Sequence, residues 1–70
     1  MKHEPVSSSI LRSVGYDERL GILEVEFYNG SLYRYAAVPP HVHEALMSAP
    51  SKGAFMNTRI RDQYLTVKVR

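Results

Sequence analysis

From Leu23 the chain alternates: Leu23, Val25 and Phe27 are apolar, with Glu24 and Glu26 between them. A period of two is that of a strand with one buried face. Upstream, Ile10, Arg12, Val14 and Tyr16 fall on alternate positions with Gly15 beside the last pair, which predicts a short strand. Asp17-Glu18-Arg19 supplies the polar turn between the two. Asn29-Gly30 follows the second strand and is a strong hairpin signal, because both residues tolerate positive φ. Ser31 to Val38 then reads as a third strand, ended by Pro39.

Two registers are open at this hairpin. A two-residue turn pairs Phe27 with Leu32, Glu26 with Tyr33 and Glu24 with Tyr35, so both tyrosines join the acidic face. A three-residue loop, Tyr28-Asn29-Gly30 with Gly30 as a bulge, pairs Phe27 with Ser31, Val25 with Tyr33, Leu23 with Tyr35 and Glu24 with Arg34. The bulged register is preferred, since it yields one apolar face and a cross-strand ion pair. Tyr33 and Tyr35 are then semi-buried partners of the inner face.

After Pro39 the period changes. Val42, Ala45, Leu46 and Ala49 form one helical stripe, entered through Pro39-Pro40 and ended by Pro50. Ser51 can cap a second short helix in which Phe55 and Met56 face the core and Ile60 follows. Leu65, Val67 and Val69 alternate with Thr66, Lys68 and Arg70, predicting a last strand with a basic outer face. The order β-β-β-α-α-β describes an α+β domain, with two short helices packed on one face of a small antiparallel sheet. Residues 1–6 read as a flexible lead-in, with Pro5 discouraging pairing, and residues 7–70 as the single domain.

Composition narrows the function classes. Seventy residues without cysteine carry no disulfide, no thiolate metal site and no thiol nucleophile. No apolar run is long enough for a membrane span and no secretory leader is visible, so a cytoplasmic location is the expectation. So short a chain has few side chains to spare for a buried reaction centre, which favours a binding surface over catalysis. Charge is uneven: residues 1–51 hold four basic and six acidic side chains, whereas Lys52, Arg59, Arg61, Lys68 and Arg70 face only Asp62 in the remainder. A basic C-terminal third suggests a polyanionic partner.

The residues also resemble a known family. Ser8/Ser9, Ile10, Val14-Gly15-Tyr16-Asp17, Leu23-x-Val25-x-Phe27-x-x-Gly30, Tyr33-x-Tyr35 and Val38-Pro39 are similar in order and spacing to the KTSC domain. So are Leu46, Ala49, Ser51-x-Gly53, Phe55, Asn57, Ile60 and Tyr64; Met56 is a small departure. Tyr33-Arg34-Tyr35 corresponds to the family signature. The resemblance implies a small domain found at the C-terminus of some lysyl-tRNA synthetases and as a stand-alone bacterial or phage protein. RNA binding is the activity suggested for that family, whose function is not established.

The leading reading is therefore a non-enzymatic binding domain with RNA or tRNA as partner, contacted through Lys52, Asn57, Arg59, Arg61, Lys68 and Arg70. Cations would neutralise phosphates, and tyrosine rings could stack bases. Glu24 and Glu26, read as a solvated acidic stripe, make the strands alone a poor RNA surface. The alternative is a protein-interaction module, self-associating through an exposed sheet edge. Ser51-Lys52-Gly53 could hold an anion, though a capped loop explains it as well. His41 and His43 point to different faces of a helix and do not chelate one ion there; His3 lies in the lead-in. No catalytic residue, metal site, cofactor or membrane contact is expected.

Overall fold

The alternation at Leu23, Val25 and Phe27 becomes the central strand of a five-stranded antiparallel sheet in a computed structural model describing residues 1–70. The strands are β1 (His3–Pro5), β2 (Leu11–Asp17), β3 (Ile22–Phe27), β4 (Leu32–Tyr35) and β5 (Thr66–Lys68), in the spatial order β1-β2-β3-β4-β5. Between β4 and β5 lie α1 (Pro40–Ser48), α2 (Lys52–Phe55) and a π-helical turn, Met56–Ile60. The α+β class and the placing of the helices on one face are as the sequence predicts. Leu11, Val14, Leu23, Val25 and Tyr35 of the sheet meet Leu46, Met56 and Ile60 of the helical segment in one buried cluster.

The hairpin adopts the bulged register. Leu23 pairs with Tyr35, Glu24 with Arg34 and Val25 with Tyr33. Gly30 sits at φ 92°, its N–H donates to the Phe27 carbonyl at 3.0 Å, and the Phe27 N–H donates to Ser31 at 2.9 Å. Local turn chemistry behaves similarly elsewhere. Asp17 accepts from the N–H groups of Arg19 and Leu20, and Gly21 at φ 67° completes that turn. Pro40 stands at the first position of α1, and the Ser51 hydroxyl accepts from the Ala54 N–H at the head of α2.

Four expectations are corrected. The flexible lead-in is instead paired: His3, Glu4 and Pro5 face Gly15, Val14 and Ser13. Pro5 is tolerated because β1 is an edge strand, where a missing N–H costs no ladder bond. The first alternation is also broken, because a β-bulge between Leu11 and Ser13 places Leu11 and Val14 on the same buried face. Arg12 is the extra residue and extends outward over the Tyr28 ring, while Ile10 is half exposed. The third strand ends at Tyr35; Ala37, at φ 56°, turns the chain towards α1. Finally, β5 presents the opposite face to that expected. Lys68 pairs with Tyr33 and Thr66 with Tyr35, so the polar residues share the tyrosines' side and Val67 shares that of Arg34. Leu65, Val67 and Val69 are exposed.

The sheet face away from the helices is held by charge. Glu24 is 5% exposed, not a solvated carboxylate. Its Oε1 meets His3 Nε2 at 2.5 Å and its Oε2 accepts from Arg34 Nε at 2.5 Å. His3 Nδ1 lies 2.8 Å from the Ser13 hydroxyl, which donates to Glu26, and Arg70 closes the row on Glu26 at 3.0 Å. Gly15 makes this possible, because a Cβ there would stand 2.8 Å from the His3 ring. Burial pushes the Glu24 carboxyl upward in pKa, but the hydrogen bonds and charges of Arg34 and His3 outweigh it and hold it below the ordinary value of 4.5.

Two predictions follow from this face. Gly15→Ala should displace His3 and lower stability by about 1–2 kcal/mol, through loss of hydrogen bonds to a buried charge. The check is urea unfolding, together with faster amide exchange at Glu4 and Val14. A carboxyl depressed by folding contributes fully above its unfolded value and loses that contribution as pH falls through its lower folded value. The urea midpoint should therefore drop as pH falls below about 4.5, and Glu24→Gln should flatten that acid limb. The same variant should cost about 1–2 kcal/mol near neutrality, at the low end for a charge because Arg34 is half exposed.

Candidate ligand cleft and nucleic-acid interface

The bulged register sends Tyr33 and Tyr35 to the helix side of β4, where they line a cavity of about 380 Å³ between the sheet and the helical segment. Its apolar lining includes Leu11, Phe27 and Met56, and its polar rim Asn29 and Ser31 from the hairpin, with Asn57, Arg61, Asp62 and Thr66. Phe27 and Tyr33 meet edge to face, their ring centres 5.7 Å apart, which fixes the Tyr33 ring. The volume is at the lower end of the ~300–1,000 Å³ found for small-molecule sites.

Helix geometry sets the rim. After Phe55 the chain widens into the π-helical turn, with the Arg61 N–H donating to the Met56 carbonyl at 2.7 Å. Such single turns recur at functional sites, because the added residue re-aims its neighbours. Here Met56 and Ile60 stay buried while Asn57 and Arg61 are turned to the cleft. Asp62 follows at φ 66°, in the left-handed region that Asp enters more readily than most residues. α2 is brought close to β2 by Gly53, where a Cβ would stand 2.7 Å from Ile10 Cδ1.

Tyr35 is buried except at its hydroxyl, which reaches solvent at the cleft and takes part in none of the side-chain hydrogen bonds of the protein. Burial raises its phenol pKa; the neighbouring Tyr33 adds to the shift and the Arg61 charge opposes it. The phenol oxygen is thus within electrostatic reach of Arg61 on the cleft rim. Neither Arg61 nor Asp62 belongs to an ion pair, since the three pairs of the molecule join His3, Arg34 and Arg70 to Glu24 and Glu26 on the opposite face.

The structure divides the six residues expected to contact RNA. Asn57 and Arg61 line the cleft, and Lys68 extends from β5 on the side of its register partner Tyr33. Lys52 is half-buried, with its ammonium donating to the Ala49 carbonyl at 3.2 Å, so Ser51-Lys52-Gly53 forms a capped loop. Arg59 belongs to a second, larger and more open cleft of about 680 Å³ with His41 and Tyr64. Arg70 reaches the open face, bound to Glu26 and to the Gly30 carbonyl. Sequence reasoning missed Asp62, Ser31 and Phe27 as cleft residues. Asp62 had a visible signal, as the lone acid among five cations and next to Arg61.

The other chemically suggestive groups have structural partners. His43 stacks on Tyr16 with ring centres 4.4 Å apart, and the Tyr16 hydroxyl donates to the Val38 carbonyl at 2.6 Å. Burial, then the charges of Glu18 and Asp17, raise the Tyr16 pKa. Ser13, His3 and Glu24 touch in the order of a nucleophile, a base and an orienting acid. The Ser13 proton, however, is directed to Glu26, and neither main cavity reaches the trio. It serves as a clasp between β1 and the sheet.

Comparison with known proteins gives the relatives of the chain. An uncharacterized protein of Stutzerimonas stutzeri is 52% identical over 91% of this chain and 90% of its own length. A lysine–tRNA ligase of Nostoc punctiforme is 39% identical over 80% of this chain, a stretch that makes up 10% of the ligase. The crystal structure of a KTSC domain protein from Yersinia pestis superposes with a TM-score of 0.92 at 40% identity, covering 99% of this chain and 97% of that one. Residues 7–64 match the KTSC domain, and the chain belongs to the KTSC family.

Proposed function

We propose that this KTSC domain is a non-catalytic RNA-binding module, with tRNA the first partner class to test, and that the tyrosine-lined cleft is its contact surface. The observation that carries this is the conjunction in one cleft of Tyr33 and Tyr35 with Arg61, a guanidinium that no carboxylate of the protein neutralises. Aromatic floor and cationic rim are the two elements that single-stranded nucleic acid requires: stacking for bases, charge for phosphates. Lys68 extends the positive edge along β5. The related segment of a lysine–tRNA ligase supports a tRNA setting. The acidic pair Glu24 and Glu26 does not oppose binding, because both carboxylates lie on the other face and are paired there.

A second reading has its own support. β5 is an edge strand, Val67 within it and Leu65 and Val69 on either side of it are exposed, and such an edge can recruit another chain by strand addition. It predicts a protein-binding or self-associating module indifferent to RNA.

Gel-shift titration with total tRNA should give binding that weakens steeply with salt, and Arg61→Ala with Lys68→Ala should reduce the affinity and lower the salt slope by about one to two contacts. An unchanged affinity and slope in that double variant would reject this surface. Sedimentation showing concentration-dependent mass, with no tRNA shift at low salt, would favour the second reading.

A further inference from the structure

Within that RNA reading, on which this inference rests, we infer that the cleft is a pocket for one unstacked guanine base, with Asp62 reading its Watson–Crick edge and Arg61 holding the adjoining phosphate. Four observations lead there. The cavity, about 380 Å³, has room for a nucleotide-sized ligand but not for a folded macromolecular element. Its lining includes the aromatic rings of Phe27, Tyr33 and Tyr35 with Met56, side chains of the kind that hold an extruded base. Its rim carries one cation and one carboxylate from consecutive residues, both without ion-pair partners. The Tyr35 hydroxyl opens to the solvent of the cleft and makes no hydrogen bond within the protein, so it is free to meet a ligand there.

The polar inventory selects the base. An ionised carboxylate only accepts hydrogen bonds, so Asp62 calls for a donor edge. Guanine presents two adjacent donors, N1–H and the exocyclic N2 amine, that a single carboxylate can accept together. Adenine and cytosine present one amine beside an acceptor, which faces Asp62 with like polarity, and uracil presents one imide N–H flanked by carbonyls. Asn57 and the Tyr35 hydroxyl can each donate to the guanine O6, completing the edge. A free phosphate alone is disfavoured by the neighbouring Asp62; a nucleotide satisfies both rim charges at once.

The left-handed backbone at Asp62 supplies a clean variant. Asn adopts that conformation as readily as Asp, so Asp62→Asn exchanges an acceptor for a donor without disturbing the turn. The test is an amide-shift titration of the intact chain with GMP, AMP, CMP and UMP, alongside tRNA gel shifts of wild type, Asp62→Asn and Tyr35→Phe. GMP should move the amides of Tyr35, Asn57 and Arg61 and bind roughly tenfold or more tightly than the other three, the discrimination typical of one bidentate base contact. Asp62→Asn should abolish that preference and weaken tRNA binding while leaving its salt slope unchanged, because no phosphate contact is lost, and Tyr35→Phe should weaken GMP by a smaller factor. If tRNA binds but no nucleotide perturbs the cleft, the pocket is wrong and the RNA reading stands. GMP binding without tRNA binding would remove the RNA reading and keep the pocket. Equal response to all four nucleotides, or a preference surviving in Asp62→Asn, would overturn the assignment of base and reader.

Discussion

The bulge at Gly30 is the constraint on which both faces of the sheet depend. A side chain's face is decided by the parity of its register, so one residue more or less in the hairpin moves every side chain of β4 across the sheet. With the bulge in place, Tyr33 and Tyr35 oppose Val25 and Leu23 and contribute to core and cleft together. The same parity delivers Arg34 to Glu24 on the other side. A two-residue turn would have put both tyrosines among the carboxylates and turned Arg34 away from Glu24, towards the helices. The left-handed φ of Gly30 thus couples the apolar core to the polar clasp through a single loop.

The sequence made this much of the fold legible because the relevant signals are local. Alternation at Leu23 to Phe27, Asn29-Gly30, the Pro39-Pro40 entrance and the Ser51 cap each act within a few residues. What escaped is non-local. β1 exists because Gly15 leaves room for the His3 ring and because Glu24 waits two strands away; neither fact is visible around Met1 to Val6. The bulge at Arg12 breaks the period of two in β2 through pairing with β3, which the β2 sequence alone does not announce. β5 shows the limit of pattern reading: its alternation was plain, but which side of it faces the helices was fixed by backbone bonds to β4.

The site was legible in part for the same reason. The signature tyrosines and the basic C-terminal third were evident, but the assembly of Asn57, Arg61 and Asp62 on one rim depends on the π-helical turn, whose extra residue has no clear mark in Met56–Ile60. Read as a regular α-helix, Arg59 would have seemed as good a contact as Arg61. The structure separates them into different clefts.

The two faces of the sheet differ in how their polar groups are satisfied. On the open face every carboxylate has its cation or hydroxyl, so nothing there calls for a partner. A polar group kept out of water normally finds a hydrogen bond, because leaving it unmade costs more than forming it returns. In the cleft, the exposed Arg61 and Asp62 have no ion-pair partner and the Tyr35 hydroxyl meets solvent, beside an apolar floor. A domain this small has little stability to forgo, and it has met the same requirement thoroughly on the face that only holds the fold together. The polar groups of the other face are met by solvent instead of by the protein, so a ligand there would displace water and break no internal bond.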